Sequence, residues 1–114
     1  MKCKTKQEIK MKKIIDEIIE NGKIVDELNE QYAEFLYSTN DKFHEFYGLV
    51  GFLDTGNYAI WSNLPYNKPR VNSFRTSNIK TTYLYKEYIL LQTLNSKYLF
   101  KKSTLKAMEE GRIF

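Results

Sequence analysis

The chain of 114 residues is long enough for one domain with a modest core, and 42% hydrophobic residues argues against an intrinsically disordered protein. No apolar run reaches the roughly 18 residues of a membrane-spanning helix, and no apolar signal core follows the first lysines, so we expect a cytoplasmic protein that does not enter a membrane. One cysteine, Cys3, and one histidine, His44, exclude an internal disulfide and a four-ligand zinc site, and we expect no cofactor.

The net charge of +4 is unevenly distributed along the chain. Residues 2–13 hold six lysines and one acid, and residues 14–35 hold seven acids and one lysine. Residues 65–106 hold nine lysines or arginines and one acid. Such separation predicts one acidic and one basic face on the folded molecule.

The N-terminal third predicts a helical hairpin over residues 5–37. Thr5 and Glu8 match a capping box, and Asn21-Gly22 supplies a helix end between two apolar stripes at helical spacing. The stripes are Met11, Ile14, Ile15, Ile18 and Ile19, then Val25, Leu28, Tyr32, Phe35 and Leu36. Small hairpins of this kind often need a partner surface, so a homodimer through the stripes is an alternative to packing within the chain.

The middle of the chain predicts an antiparallel β-hairpin over residues 46–64. Two β-rich runs flank Asp54-Thr55-Gly56-Asn57, a four-residue link that contains glycine. Asp-Thr-Gly is also the active-site triplet of aspartic proteases, but here Asn57 follows it where those enzymes have Ala or Ser, and no glycine-rich flap comes later. We therefore interpret the triplet as a turn.

The rest of the chain predicts a polar loop and a mixed segment. Residues 65–80 contain two prolines and many Asn, Ser and Thr, which favours a long loop, with a short strand over residues 71–75 as an alternative. Within 82–110, the spacing of Leu84, Tyr88, Leu91 and Leu94 favours a helix, with strands and a turn at Asn95-Ser96 as the alternative. Residues 103–110 predict a short helix. The expected fold is thus a single α+β domain over residues 1–114.

Two sets of surface residues are candidates for contact with a partner. Cations interleaved with aromatic rings are typical of nucleic-acid surfaces and of protein interfaces. The basic-aromatic set is Arg70, Phe74, Arg75, Lys80, Lys101, Lys102 and Lys106. The acidic set, placed on the predicted helical hairpin, is Asp16, Glu20, Asp26, Glu27, Glu30 and Glu34.

No combination of residues indicates catalysis or a metal centre. His44 stands beside Glu45, but adjacent helical residues do not face each other, and no serine or cysteine nucleophile is placed with them. Phosphate-binding glycine motifs are also missing from the sequence. We expect a protein that is not an enzyme and that has neither catalytic nor metal-ligating residues.

The C-terminal S-T-L-K-A-M-E-E-G-R-I resembles the end of a recognition helix in small helix-turn-helix regulators. That resemblance implies that Ser103, Thr104 and Lys106 face a DNA groove. The preceding helix and its short turn are not where the motif needs them, because residues 94–103 are too long a gap.

In size, in richness in Lys, Tyr and Asn, and in its lack of catalytic motifs, the chain resembles small proteins of phages and other mobile elements of low-GC bacteria, including anti-CRISPR proteins. That resemblance implies a stoichiometric, non-catalytic inhibitor of a nucleic-acid-targeting defence complex in the bacterial host cell. The partner would be a protein or ribonucleoprotein. The alternative is a small DNA- or RNA-binding transcriptional regulator that uses residues 65–106.

Overall fold

The computed structural model describes residues 6–28, 31–63 and 73–103. One α-helix, α1 (Lys6–Asn21), precedes all the described strands, and a 3-10 helix spans Asp41–Phe46. The eight strands are β1 (Lys23–Val25), β2 (Gln31–Ser38), β3 (Val50–Thr55), β4 (Ala59–Asn63), β5 (Ser73–Arg75), β6 (Ile79–Tyr85), β7 (Tyr88–Thr93) and β8 (Lys97–Lys102).

All eight strands belong to one antiparallel sheet in the order β1-β6-β7-β8-β2-β3-β4-β5. Its two edges in the described part of the chain are β1 and β5. The sheet has an inner face, which holds an aromatic core, and an outer face, half of which is covered by α1.

The inner face curls around a cluster of aromatic rings. The ring of Phe35 on β2 lies 5.4 Å from that of Phe74 on β5, and Phe74 lies 6.0 Å from Tyr98 on β8. In a flat sheet β5 and β8 would be about 19 Å apart, at about 4.8 Å per strand. The sheet is therefore strongly curved, which brings strands that are distant in its order into contact through their side chains.

Helix α1 packs on the outer face through one stripe. Met11, Ile15 and Ile18, spaced at about one turn, are buried against side chains of four strands. Those side chains are Tyr37, Tyr83, Leu90 and Leu99. Because the sheet of the same chain covers this stripe, the reason for expecting a homodimer through it no longer applies.

The predicted helical hairpin over residues 5–37 is wrong in its second half, where the chain forms β1 and β2. Ala33 and Phe35 point into the core while Tyr32 lies on the outer face, as a strand requires. A bulge between Phe35 and Tyr37 then turns Tyr37 to the helix side. Because β2 carries apolar side chains on both of its faces, the spacing of Tyr32, Phe35 and Leu36 resembles that of a helix.

The helix favoured within residues 82–94 is also wrong, because the chain forms β6 and β7 there. Ile89, Leu90 and Leu91 are all buried, since β7 lies mid-sheet with the aromatic core on one side and α1 on the other. Such a continuous apolar run does not distinguish a strand from a buried helix. The structure instead has strands here, which were the alternative prediction, and bends at Leu94 and Asn95 lead into β8.

The strands β3 and β4 pair where the sequence predicted a hairpin, but they are part of the large sheet and not a separate unit. The predicted polar loop over 65–80 is wrong at the start of β6, and β5 lies within residues 71–75, where a short strand was the alternative. Residues 65–72 of that loop, and the short helix predicted over 103–110 from residue 104 onward, lie outside the described residues.

Replacement of Gly51 by Ala should lower the free energy of unfolding by about 1–3 kcal/mol or more. A Cβ on Gly51 would collide with the carbonyl oxygen of Ser62 and lie 2.8 Å from the Trp61 ring, neither of which has room to move in the core. Urea denaturation measures the loss. Gly56→Ala is the matched control: no atom lies within 4 Å of its Cβ position, so equal losses for both variants would contradict this packing.

Candidate functional site

The basic-aromatic set does not come together in the described residues. Arg70 and Lys106 lie outside them. Phe74 is only 8% exposed and belongs to the aromatic core, so it cannot contact a partner. Arg75, Lys80, Lys101 and Lys102 lie on β5, β6 and β8.

The four described cations have different surroundings. The Arg75 guanidinium stacks 4.0 Å from the centroid of the Tyr58 ring, at one edge of the sheet. Lys101 Nζ lies 3.3 Å from a carboxylate oxygen of Glu87. Lys102 is the next residue on β8 and therefore points to the opposite face. A strand divides a basic run between two faces, which is why this sequence segment is not one basic patch.

The outer face carries an aromatic surface that the sequence reading missed. Tyr32 on β2 and Phe52 on β3 are cross-strand neighbours whose rings stack at 5.5 Å with an interplanar angle of 27°. Tyr85 and Tyr88, paired across β6 and β7, lie on the same face beside α1. We call these four residues the outer aromatic face. The strand register brings together Tyr32 and Phe52, which lie 20 residues apart, so no local pattern in the sequence could have indicated that pair.

Most of the acidic set is exposed at one end of α1 and after β1. Asp16, Glu17 and Glu20 point away from the buried stripe of the helix, and Asp16 and Glu20 are one turn, about 6 Å, apart along its axis. Asp26 and Glu27 are exposed in the segment that follows β1. We call these five residues the acidic surface.

Two members of the predicted acidic set are not part of that surface. Glu30 lies outside the described residues. Glu34 is on β2, where it is the cross-strand neighbour of Lys101 on the outer face and is half-buried. The prediction that both belong to one helical face is wrong for Glu34, because residues 31–38 form a strand.

The charges of α1 suit its dipole only in part. The first turn holds Lys6, which opposes the dipole, and Glu8, which suits it, while the last turn holds Glu20 and no basic residue. Acids are stabilising near a helix N-terminus and cations near its C-terminus, each by about 0.3–1 kcal/mol near a terminus. Glu20 is therefore at the end of the helix where an acid stabilises it least.

Strand β1 is next to the acidic surface and is an edge of the sheet. It pairs with β6 on one side, and within the described ranges no strand pairs with its other side. Ile24 is 63% exposed on the face that carries α1, and Ile19 of the helix is 39% exposed.

The Asp-Thr-Gly triplet has a structural role. Asp54 is exposed at the end of β3, in an open depression of about 290 Å³ formed by residues 54–58 and Ile60. No second carboxylate lines that depression among the described residues. Thr55 Oγ1 donates a hydrogen bond of 2.7 Å to the carbonyl oxygen of Leu28, which ties the β3 end to the segment after β1.

His44 and three tyrosines have well-defined surroundings in the described part of the chain. His44 is exposed, and its Nδ1 lies 2.9 Å from the backbone oxygen of Asp41. Burial raises the pKa of Tyr37, Tyr47 and Tyr98 above the ordinary value, which keeps these phenols protonated at neutral pH. Within the described part of the chain, no three His, Cys, Asp or Glu side chains are grouped as a metal site requires.

No protein-family model, curated protein or solved structure matches this chain. Within residues 6–28, 31–63 and 73–103, no helix has both the length and the apolar character needed to cross a membrane. The candidate site therefore rests on the geometry, exposure and charge of the acidic surface and the outer aromatic face.

Substitution of Thr55 by Val should lower the free energy of unfolding by about 1–3 kcal/mol, because the Leu28 carbonyl loses its partner in a mostly buried position. Asp54→Asn, one residue away, should change it by less than about 0.5 kcal/mol, since that side chain is exposed. Chemical denaturation compares the two variants. A larger loss for Asp54→Asn than for Thr55→Val would contradict the structural role given to the triplet.

Proposed function

We propose that the chain is a non-catalytic binding protein whose acidic surface occupies a cationic site of its partner. The observation that carries the proposal is the placement of Asp16, Glu17 and Glu20: all three are exposed, and Glu20 lies in the last turn of α1, which holds no basic residue. Residues that break a local stability rule are expected at functional sites.

The partner class that fits best is a bacterial complex that handles nucleic acid in the cytoplasm. Such complexes hold nucleic acid in positively charged channels, which recognise the backbone by its charge. A rigid surface with five carboxylates is complementary to such a channel and competes with phosphates for the same cations. The resemblance to anti-CRISPR proteins in size and composition supports the same class of target, and inhibition would be stoichiometric.

Glu20→Lys should raise the free energy of unfolding by about 0.3–1 kcal/mol, because it places a cation in the last turn of α1. The same change should abolish inhibition. The assay titrates the protein against a panel of purified RNA-guided bacterial nucleases and measures their binding to labelled DNA. Urea denaturation measures the stability.

Lys6→Glu is the matched control for this experiment. It should stabilise the first turn of α1 by a similar amount and leave the acidic surface untouched. Stoichiometric inhibition by the wild type that survives Glu20→Lys would contradict the role of the acidic surface, and so would a panel in which no nuclease is inhibited.

A second candidate function is binding of single-stranded nucleic acid by the outer aromatic face. The stacked pair Tyr32–Phe52 favours it, because exposed rings on a sheet stack on unpaired bases. Arg75, over Tyr58, supplies a nearby cation at the sheet edge. Glu34 and Asp54 lie on the same face and make its charge less favourable for phosphates than that of a basic patch.

Fluorescence anisotropy with labelled single-stranded RNA, at low and at moderate salt, tests the second candidate. Binding that falls steeply with salt and weakens about 5- to 150-fold in Tyr32→Ala would support it, since stacking contributes about 1–3 kcal/mol per base. Glu87→Gln, which releases Lys101 from its ion pair, should strengthen binding slightly. No binding by the wild type at low salt would contradict this function.

A further inference from the structure

Strand β1 presents one side of its backbone without a strand partner in the described part of the chain. Residues 23–25 are cross-strand partners of residues 82–84 on β6, and β1 is at one end of the strand order. In an antiparallel ladder, successive residues direct their N–H and C=O groups to opposite sides. The free side of β1 is thus a template on which another extended chain can pair.

The side chains around this edge do not protect it as those of most sheet edges do. Natural edges are commonly guarded by charged residues or proline, or covered by other elements. Lys23 is such a guard, but its neighbour Ile24 is 63% exposed, on the outer face across from Tyr83. Ile19, on the helix that packs on the same face, is 39% exposed. These apolar side chains are suited to contact an added strand.

The charge of the surroundings specifies the partner. The five carboxylates of the acidic surface are on α1 and in the segment directly after β1. A second copy of this chain at the same edge would place the two acidic surfaces together, and a nucleic acid would be repelled. An extended protein segment rich in lysine or arginine has the complementary charge.

We propose that β1 binds an extended, cationic segment of a protein partner by strand addition, with hydrogen bonds to those backbone groups of residues 23–25 that point away from β6 and an apolar side chain of the partner against Ile24. This binding mode rests on the proposed function, since it assigns the cationic partner of the acidic surface a conformation and a position. Main-chain hydrogen bonds supply affinity in such complexes, and the flanking side chains supply selectivity.

The test uses a short labelled peptide of alternating lysine and valine, with the full-length protein and fluorescence anisotropy. A second peptide of the same sequence carries N-methyl groups on the amides of one edge, which removes backbone donors and keeps the charge. The N-methylated peptide should bind about tenfold more weakly or worse, and Ile24→Lys should weaken the unmodified peptide similarly. Hydrogen exchange should slow at residues 23–25 when the unmodified peptide is bound.

Each other outcome overturns the inference. If both peptides bind equally and Glu20→Lys abolishes that binding, the peptides are attracted by charge alone. That result would reject strand addition and would leave the proposed role of the acidic surface intact. Binding of neither peptide would reject strand addition, and the inhibition assay would still test the proposed function separately. If the protein binds no peptide but self-associates, and Ile24→Lys abolishes the self-association, then β1 pairs with a second copy of this chain. Circular dichroism of Ile24→Lys establishes that this variant is folded.

Discussion

The packing of rings around Phe35 is the constraint on which the rest of the structure depends. Phe35 is fully buried, and its ring lies 5.2–6.5 Å from five other aromatic rings. These are the rings of Phe46, Tyr47, Trp61, Phe74 and Phe100. They come from three strands and from the 3-10 helix with its following residue, so their contact with Phe35 on β2 requires the sheet to curl. Burial of large rings is the strongest hydrophobic contribution that a chain of this size has available.

The density of this cluster has consequences for polar groups and for glycine. Trp61 Nε1 is buried and has no hydrogen-bond partner among the described residues, a loss that the surrounding ring contacts offset. Gly51 has no side chain because the Trp61 ring and the strand beside it occupy that space. Both features indicate that the packing of aromatic rings determines the arrangement of the core more than the hydrogen bonding of buried polar groups does.

The curl also decides which surfaces remain for binding. One helix of 16 residues covers only part of the outer face, so Tyr32 and Phe52 remain at the surface and β1 remains an edge. The acids of α1 then lie beside that edge, because the chain passes directly from the helix end at Asn21 into β1 at Lys23. The acidic surface and the open strand are thus neighbours through chain connectivity, with no long-range contact needed.

The sequence by itself determined the first helix, since its buried stripe repeats at 3.6 residues, and the paired runs on either side of the Asp54–Asn57 link, whose connection is local. It also determined the clustering of Asp16, Glu17 and Glu20, because charges that are close together on one helix stay close together when the chain folds. Only the tertiary structure decided that residues 31–38, 79–85 and 88–93 are strands, because burial on both faces of β7 and apolar side chains on both faces of β2 hide the alternation that reveals a strand. The pairing of strands also decided where the residues of the basic-aromatic segment lie: Phe74 is buried, and Lys101 and Lys102 point to opposite faces. The same pairing placed Tyr32 and Phe52 side by side, although they are 20 residues apart in the sequence. Strand neighbours are set by long-range hydrogen bonds, and no local pattern of residues records them.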